Sequence, residues 1–368
     1  MHRAPPHVCA DCAILPPVIS GPRTLYLAPP IGDLLTVFDR TATDVGLQCA
    51  RPFRGALAIT IPDQGELLAF ADAVSATLST PELAETLALS VPVGAASSLA
   101  DFVRARPLSR IFAQARGRWF SDMLADGRLV THFQPIVSSL TPTIIYGYEC
   151  LTRGHLRDGT LVAPRELFQT AIGTGLLYFL DRAARTGAVR SAAEHGVDGM
   201  IFINFQPSAI YNPDFCLAST VRAVMDAGLA PERIVFEVVE SEDMHDAKHL
   251  VAILDAYRDA GFRVALDDFG SGYGSLNLLH RLRPDFVKLD IDLVRHVDQD
   301  PIKATIASKL LETAADLDIP SIAEGVETAA EAAWMRDHGA TYQQGFFYGA
   351  PAGRPLVPSN VEVGTSCG

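Results

Sequence analysis

Asp267 and Asp268 end an apolar run, Phe262-Arg263-Val264-Ala265-Leu266, and open a glycine-rich loop, Phe269-Gly270-Ser271-Gly272-Tyr273-Gly274-Ser275. Two adjacent carboxylates repel each other, and left unpaired at a strand end both resist ionisation. A pair of divalent ions removes that penalty, because one carboxylate can bridge both ions while its neighbour binds one. Aspartate is also common in solvated turns, so this segment alone fits either reading.

Further segments repeat the pattern. The second part of the chain predicts strands at Val130 to Phe133, Ile144 to Cys150, Met200 to Phe205, Ile234 to Val239, Arg263 to Leu266, Phe286 to Leu289, Ser321 to Ala323 and Tyr342 to Phe347. Nearly every one carries a polar residue at or near its C-terminal end. Glu149 closes the second, Asn204 lies at the end of the third, and Glu237 sits inside the fourth where an apolar residue is the default. Asp267 and Asp268 close the fifth, Lys288 sits in the sixth, Glu324 closes the seventh and Gln344 lies in the eighth. If these ends meet on one rim, the carboxylates repel severely without cations. An oxygen set without histidine or thiolate favours two Mg²⁺ or Mn²⁺ ions over Zn²⁺. Such a pair activates a bridging water and clamps the attacking and leaving oxygens of a phosphodiester. Lys288 could orient or deprotonate that water, or stabilise developing charge. Its place between Val287 and Leu289 argues against a snorkelling surface lysine.

The elements that must bring these residues together follow a strand-helix rhythm. Helix-like segments at Pro164 to Ile172, Leu176 to Glu194, Lys248 to Ala260, Ile302 to Leu317 and Ala329 to His338 separate most of the strands. Residues 118–368 give about 250 residues, the length of an α/β (β/α)₈ TIM-like barrel, whose active sites lie at the C-terminal ends of the strands. The link between the first two strands is too short for a helix. That pair reads as a hairpin, with the first strand antiparallel to its neighbours.

Upstream, residues 24–93 read as a small α+β module of β-α-β-β-α-β order, ferredoxin-like or related. Strands are expected at Thr24 to Ala28, Val45 to Ala50, Gly55 to Ile61 and Thr86 to Val91. Helices are expected at Ile31 to Thr43 and at Gly65 to Leu78, the latter opened by Asp63, and Thr80-Pro81-Glu82 marks another short helix. The module holds no cluster of catalytic residue types and suits sensory input, dimer contact or a structural cap. Residues 94–117 read as a linker and connector, with helical periodicity from Ile111 to Leu124, and residues 1–23 as an N-terminal arm.

The barrel part is similar to the EAL domain family, phosphodiesterases that cleave cyclic di-GMP to linear pGpG. The similarity covers about residues 118 to 353 and rests on ordered motifs. These are Phe133-Gln134-Pro135-Ile136, Tyr148-Glu149-Cys150-Leu151-Thr152-Arg153, Ile203-Asn204-Phe205, Phe236-Glu237-Val238-Val239-Glu240-Ser241, Val287-Lys288-Leu289-Asp290, Ala323-Glu324-Gly325-Val326-Glu327-Thr328 and Gln344-Gly345-Phe346-Phe347. The resemblance implies metal ligands at Glu149, Asn204, Glu237, Asp267, Asp268 and Glu324. It implies catalytic roles for Lys288, Glu324, Gln344 and Glu240, with Glu240 anchoring the loop after the fifth strand. Gln134, Leu151 and Arg153 are implied to contact the cyclic di-GMP substrate, and a homodimer through the barrel is implied as well. The signature reads Glu-Cys-Leu in place of Glu-Ala-Leu. Ser271 and Gly274 stand where the family usually has Thr and Ser, and Tyr348-Gly349-Ala350-Pro351 lacks the usual arginine. A catalytically silent cyclic di-GMP receptor is the alternative. Silent members typically lose metal ligands, and every ligand position survives here. An unrelated barrel enzyme such as a lyase fits the ordered motifs poorly.

The totals agree with a packed, acidic protein. Hydrophobic residues make up 48% of 368, and the formal charge is -13, a poor match to nonspecific duplex nucleic acid. No run reaches the roughly 18 apolar residues of a membrane helix. Pro16 and Pro17 interrupt the only apolar N-terminal stretch, which reads as a cytoplasmic chain without a secretion signal. The six cysteines do not suggest a disulfide framework, and Cys9 and Cys12, near His2 and His7, form a lone CxxC near a terminus, weak evidence for a metal or redox role beside the plainer reading of a poorly ordered N-terminal arm.

Overall fold

A computed structural model describes residues 15–16, 21–95, 101, 103–239, 247–271 and 275–356. The expected N-terminal CxxC, Glu240 and Gly272 to Gly274 lie outside the described residues.

The first sheet is antiparallel, in the order β2-β3-β1-β4-β5, with β1 at Arg23–Ala28, β2 at Gln48–Ala50, β3 at Leu57–Ile61, β4 at Leu87–Pro92 and β5 at Arg106–Pro107. β1 lies between β3 and β4, as a ferredoxin-like β-α-β-β-α-β unit requires. Helices Leu34–Asp44 and Gln64–Thr77 pack Phe38, Ala42, Phe70 and Val74 against Leu25, Leu27, Leu57 and Ile59 of the sheet. Asp63 caps the second helix by accepting from Glu66 N at 3.0 Å. The first helix starts three residues later than the apolar periodicity suggests, and β2 is shorter than expected because Val45 and Gly46 turn the chain off the preceding helix.

The connecting stretch holds two helices, Leu108–Arg116 and Arg118–Ala125, where periodicity predicted one continuous helix. Gly117 breaks it, and a Cβ there would stand 2.7 Å from Thr174 Cγ2. The first of the two helices has two occupied faces. Leu108, Ile111, Phe112 and Ala115 complete the core of the first sheet. Gln114 Nε2 donates to Thr174 O at 3.0 Å, at the end of helix Pro164–Thr174 of the second part.

The second sheet closes into an eight-stranded barrel. Its strands are β6 (Leu129–Ser138), β7 (Ile145–His155), β9 (Met200–Asn204), β10 (Ile234–Val239), β11 (Arg263–Phe269), β12 (Phe286–Leu289), β13 (Ser321–Ala323) and β14 (Tyr342–Gln344). β8 (Leu161–Val162) extends β7 on the outside. Pairs β7–β9 through β13–β14 are parallel. β6 runs antiparallel to both β7 and β14, as the short hairpin link requires. β6 and β7 are longer than the apolar runs predict because each protects the other's backbone above the rim. β14 is shorter, ending at Gln344 where Gly345 turns the chain against Val326.

Two apolar layers hold the barrel. Ile136, Phe202, Val235, Ala265, Phe286 and Ile322 fill its interior, with Tyr146, Met200 and Tyr342 packed on them. Outside, alternate residues such as Cys150, Ile203, Phe236, Leu266 and Val287 pack against the helices. Gly147 lets β7 approach β9 closely: a Cβ there would stand 2.4 Å from Met200 O. Among the described residues no helix is long and apolar enough to cross a membrane.

Candidate metal centre at the barrel rim

Strand alternation builds this site. Side chains two positions apart share a face, so each interior apolar residue has a partner one layer nearer the rim. Phe202 leads to Asn204, Val235 to Glu237, Ala265 to Asp267, Phe286 to Lys288, Ile322 to Glu324 and Tyr342 to Gln344. β6 runs the other way, so Ile136 is preceded by Gln134. β7 differs: a register shift beside Gly147 puts Tyr146 in the apolar layer and Glu149 in the polar one. The apolar plug is thus roofed by a layer of carboxylates, amides and one lysine.

Lys288 is the centre of that layer. It is 1% exposed, and its Nζ lies 2.8 Å from Glu237 Oε1, 3.3 Å from Asp267 Oδ1 and 3.6 Å from Glu149 Oε2, and in closer contact with Glu324 Oε1. Burial disfavours its charge, but Asp267, Glu149, Glu237 and Glu324 together outweigh burial and hold the ammonium protonated well above the usual lysine range.

Amides fix Glu149. Asn204 Nδ2 donates to its Oε1 at 2.8 Å, and Gln344 Nε2 donates to its Oε2 at 2.6 Å and to Gln134 Oε1 at 3.0 Å. Gln134 Nε2 donates in turn to Gly349 O at 3.3 Å. Burial raises the pKa of Glu149, yet Lys288 and these amides bring it below the ordinary glutamate value.

The other carboxylates have less support: among the described residues Asp267 Oδ1 accepts only from Asp268 N, at 3.0 Å, and shares Lys288 with Glu237 and Glu324. Burial, then neighbouring negative charge, holds Glu237 and Glu324 well above their ordinary values and Asp267 above its own. Glu237 is fully buried; its Oε1 is held by the Lys288 ammonium at 2.8 Å, and its Oε2 accepts no hydrogen bond. Asp268 stands in a left-handed conformation, φ 55°, which turns its side chain back beside Asp267. Burial, Asp267 and Asp290 push it up to about 6.

One lysine therefore faces five carboxylates, and the deficit suits divalent cations. Asp267, Asp268 and Glu324 each place an oxygen within 4.8 Å of the others. The unpartnered Oε2 of Glu237 supplies a further acceptor deep in the layer. All donors are oxygens, the preference of Mg²⁺ or Mn²⁺.

The structure brings together all six of the expected ligands, Lys288, Gln344 and Gln134. Leu151 and Arg153 continue β7 above Glu149, and Arg153 is half-buried with Nη1 donating to Thr152 O at 3.0 Å. Leu151, Asn204 and Gln206 meet outer-face residues such as Cys150, Phe168 and Ile203 around a cleft of about 170 Å³. Asp290 had no expected role, yet it sits beside Asp268 while capping helix Ile291–Val294 through Asp292 N at 2.7 Å. The signal was its position two residues after Lys288, at a strand end.

The pKa pattern gives a testable sign. Asp268, Asp267, Glu237 and Glu324 have folded values raised above the unfolded ones, so the metal-free folded state binds more protons. Their contribution to stability is present at low pH and is lost as pH rises from about 4 through about 6 and beyond. Glu149 works the other way, alone against four. Thermal unfolding with a chelator is expected to show a midpoint that falls between pH 5 and 7.5. Saturating Mg²⁺ should flatten that slope, because metal replaces protons. Identical profiles with and without metal would contradict a cation site here.

Comparison with known proteins bears on the same region. The family model of the EAL domain matches residues 118–351. The probable cyclic di-GMP phosphodiesterase PdeG of Escherichia coli K12 is 32% identical over 238 residues, 61% of this chain and 45% of PdeG. The chain spans less than half the length of the curated relatives it matches. A standalone EAL protein of Vibrio cholerae O395, solved in its cyclic di-GMP-bound form, is 35% identical with a TM-score of 0.56, covering 61% of this chain and 92% of that one. Klebsiella pneumoniae BlrP1, solved in a manganese and cyclic di-GMP complex, is 24% identical with a TM-score of 0.56. It covers 90% of this chain and 96% of its own, a likeness of fold that extends into the first sheet.

Proposed function

This chain belongs to the EAL domain family, and from that premise we propose that its barrel hydrolyses cyclic di-GMP to linear pGpG with the help of two divalent ions. The observation that carries this reading is the charge deficit of the rim: one buried lysine among five carboxylates, with the innermost glutamate, Glu237, held by Lys288 through Oε1 alone and its Oε2 buried without a hydrogen bond.

On this reading Glu149, Asn204, Glu237, Asp267, Asp268 and Glu324 hold the ions. Bound Mg²⁺ or Mn²⁺ would supply Lewis-acid charge and lower the pKa of a water. The chain's own groups do the rest. Asn204 uses Nδ2 to fix Glu149, which leaves its Oδ1 to face an ion. Gln344 ties Glu149 to Gln134 and sets the carboxylate plane. Lys288 would hold a proton at Nζ in the middle of this carboxylate layer, where it can stabilise negative charge. Arg153, half-buried above Glu149, offers a cation to the phosphodiester. Glu240 is assigned to anchoring the loop that follows β11.

The intact set of ligand types supports turnover over the silent-receptor reading. We assign residues 24–93 an input or dimer-contact role, with helix Leu108–Arg116 joining them to the barrel through Gln114 and Thr174. Incubating the purified chain with Mg²⁺ and cyclic di-GMP, and following pGpG chromatographically, tests the proposal. Binding without cleavage in either Mg²⁺ or Mn²⁺ would select the receptor instead.

A further inference from the structure

His132 lies on β6 outside the carboxylate layer, at the mouth. It shares a face of β6 with Gln134 and Ile136, one step nearer the rim than Gln134. Its cross-strand neighbour is Leu151, and Arg153 follows on β7. On the other flank the segment after β14 returns along β6. Phe133 N donates to Ala352 O at 2.8 Å, and Ala352 N donates to Phe133 O at 3.1 Å.

His132 is half-buried there, and a Cβ on Gly353 would stand 3.9 Å from its Nε2. Burial and then Arg153 lower its pKa. The Pro351 carbonyl opposes them, and His155 adds to the lowering. The ring is therefore neutral at pH 7. A neutral imidazole that donates one N–H to a carbonyl keeps a lone pair on its other nitrogen. Arg153 beside it is a donor only. Donor and acceptor thus stand together at the mouth. A guanine edge presents the complement, with an O6 acceptor and an exocyclic amino donor.

We propose that His132 contacts a guanine of the bound cyclic dinucleotide, its ring nitrogen accepting from the exocyclic amino group. The assignment rests on cyclic di-GMP as the substrate.

The test compares wild type, His132→Ala and His132→Gln on cyclic di-GMP and on cyclic di-IMP, which lacks the amino group. Losing one such hydrogen bond should raise KM for cyclic di-GMP roughly tenfold in His132→Ala, with kcat little changed. Wild type on cyclic di-IMP should show a similar loss. His132→Ala should lose nothing more on that analogue, the non-additivity expected of two partners in one contact. His132→Gln, whose amide oxygen also accepts, should recover most of the loss. An unchanged KM, or two losses that multiply in full, would overturn the assignment. If wild type binds both dinucleotides but cleaves neither, the hydrolase reading falls and dissociation constants judge His132 by the same ratios. A chain that binds neither dinucleotide overturns both proposals.

Discussion

Replacing Lys288 with alanine is expected to destabilise the metal-free protein by about 3–5 kcal/mol at neutral pH. It should also lower turnover by about 10²–10⁴-fold in saturating Mg²⁺. The two losses have separate causes. Without metal, Nζ is the cation that Glu237, Asp267, Glu149 and Glu324 share. Removing one partner of a buried charge pair leaves uncompensated charge in a place water reaches poorly. The carboxylates can escape only by taking up protons, so the destabilisation should shrink at pH 5. Mg²⁺ should restore most of the stability because it supplies the missing charge. It should not restore turnover, because no other side chain can hold a proton at that position. Denaturant unfolding with and without Mg²⁺, beside kcat, separates the effects. Full turnover by Lys288→Ala in Mg²⁺ would remove Lys288 from the proposed chemistry.

Glu149→Ala should be the second severe change, lowering hydrolysis by at least about 10³-fold. Losing only an outer partner of a metal ligand typically costs 10–100-fold, and Glu149 is proposed as a ligand itself. The substitution also strands two donors, Asn204 Nδ2 and Gln344 Nε2. Each stranded donor costs about 1–3 kcal/mol unless water replaces the carboxylate. Because Gln344 also bonds Gln134, the disturbance should spread to β6. The expected result is a folded chain with weakened Mg²⁺ binding and no detectable pGpG. Unimpaired hydrolysis would place the reacting centre elsewhere.

Much of this site was legible in the sequence because a polar residue in a strand buried on both faces is conspicuous. Lys288 between Val287 and Leu289 and Glu237 between Phe236 and Val238 stand out against apolar runs, and the barrel turns those positions into one layer. The antiparallel first strand followed from the short β6–β7 link. Less was legible where tertiary contact decides. Gly117 breaks a helix that periodicity predicted as continuous, because the close approach of Thr174 lies far away in sequence. Asp290 reads as a helix cap, and its approach to Asp268 depends on the left-handed turn of the latter. His132 looks like an ordinary polar position of an edge-like strand until the segment ending at Gly353 returns beside it. Cys150 of the Glu-Cys-Leu departure lies in the packing outside the barrel and not in the polar layer, the placement on which its expected neutrality rested.

With one lysine among five carboxylates, the rim should work only when divalent cations neutralise it. The most direct measurement is the initial rate of cyclic di-GMP cleavage by metal-free protein as Mg²⁺ is titrated in. No cleavage is expected without metal, with a saturable rise in Mg²⁺ and complete loss on adding a chelator. Cleavage that proceeds at the same rate without any divalent ion would contradict this requirement.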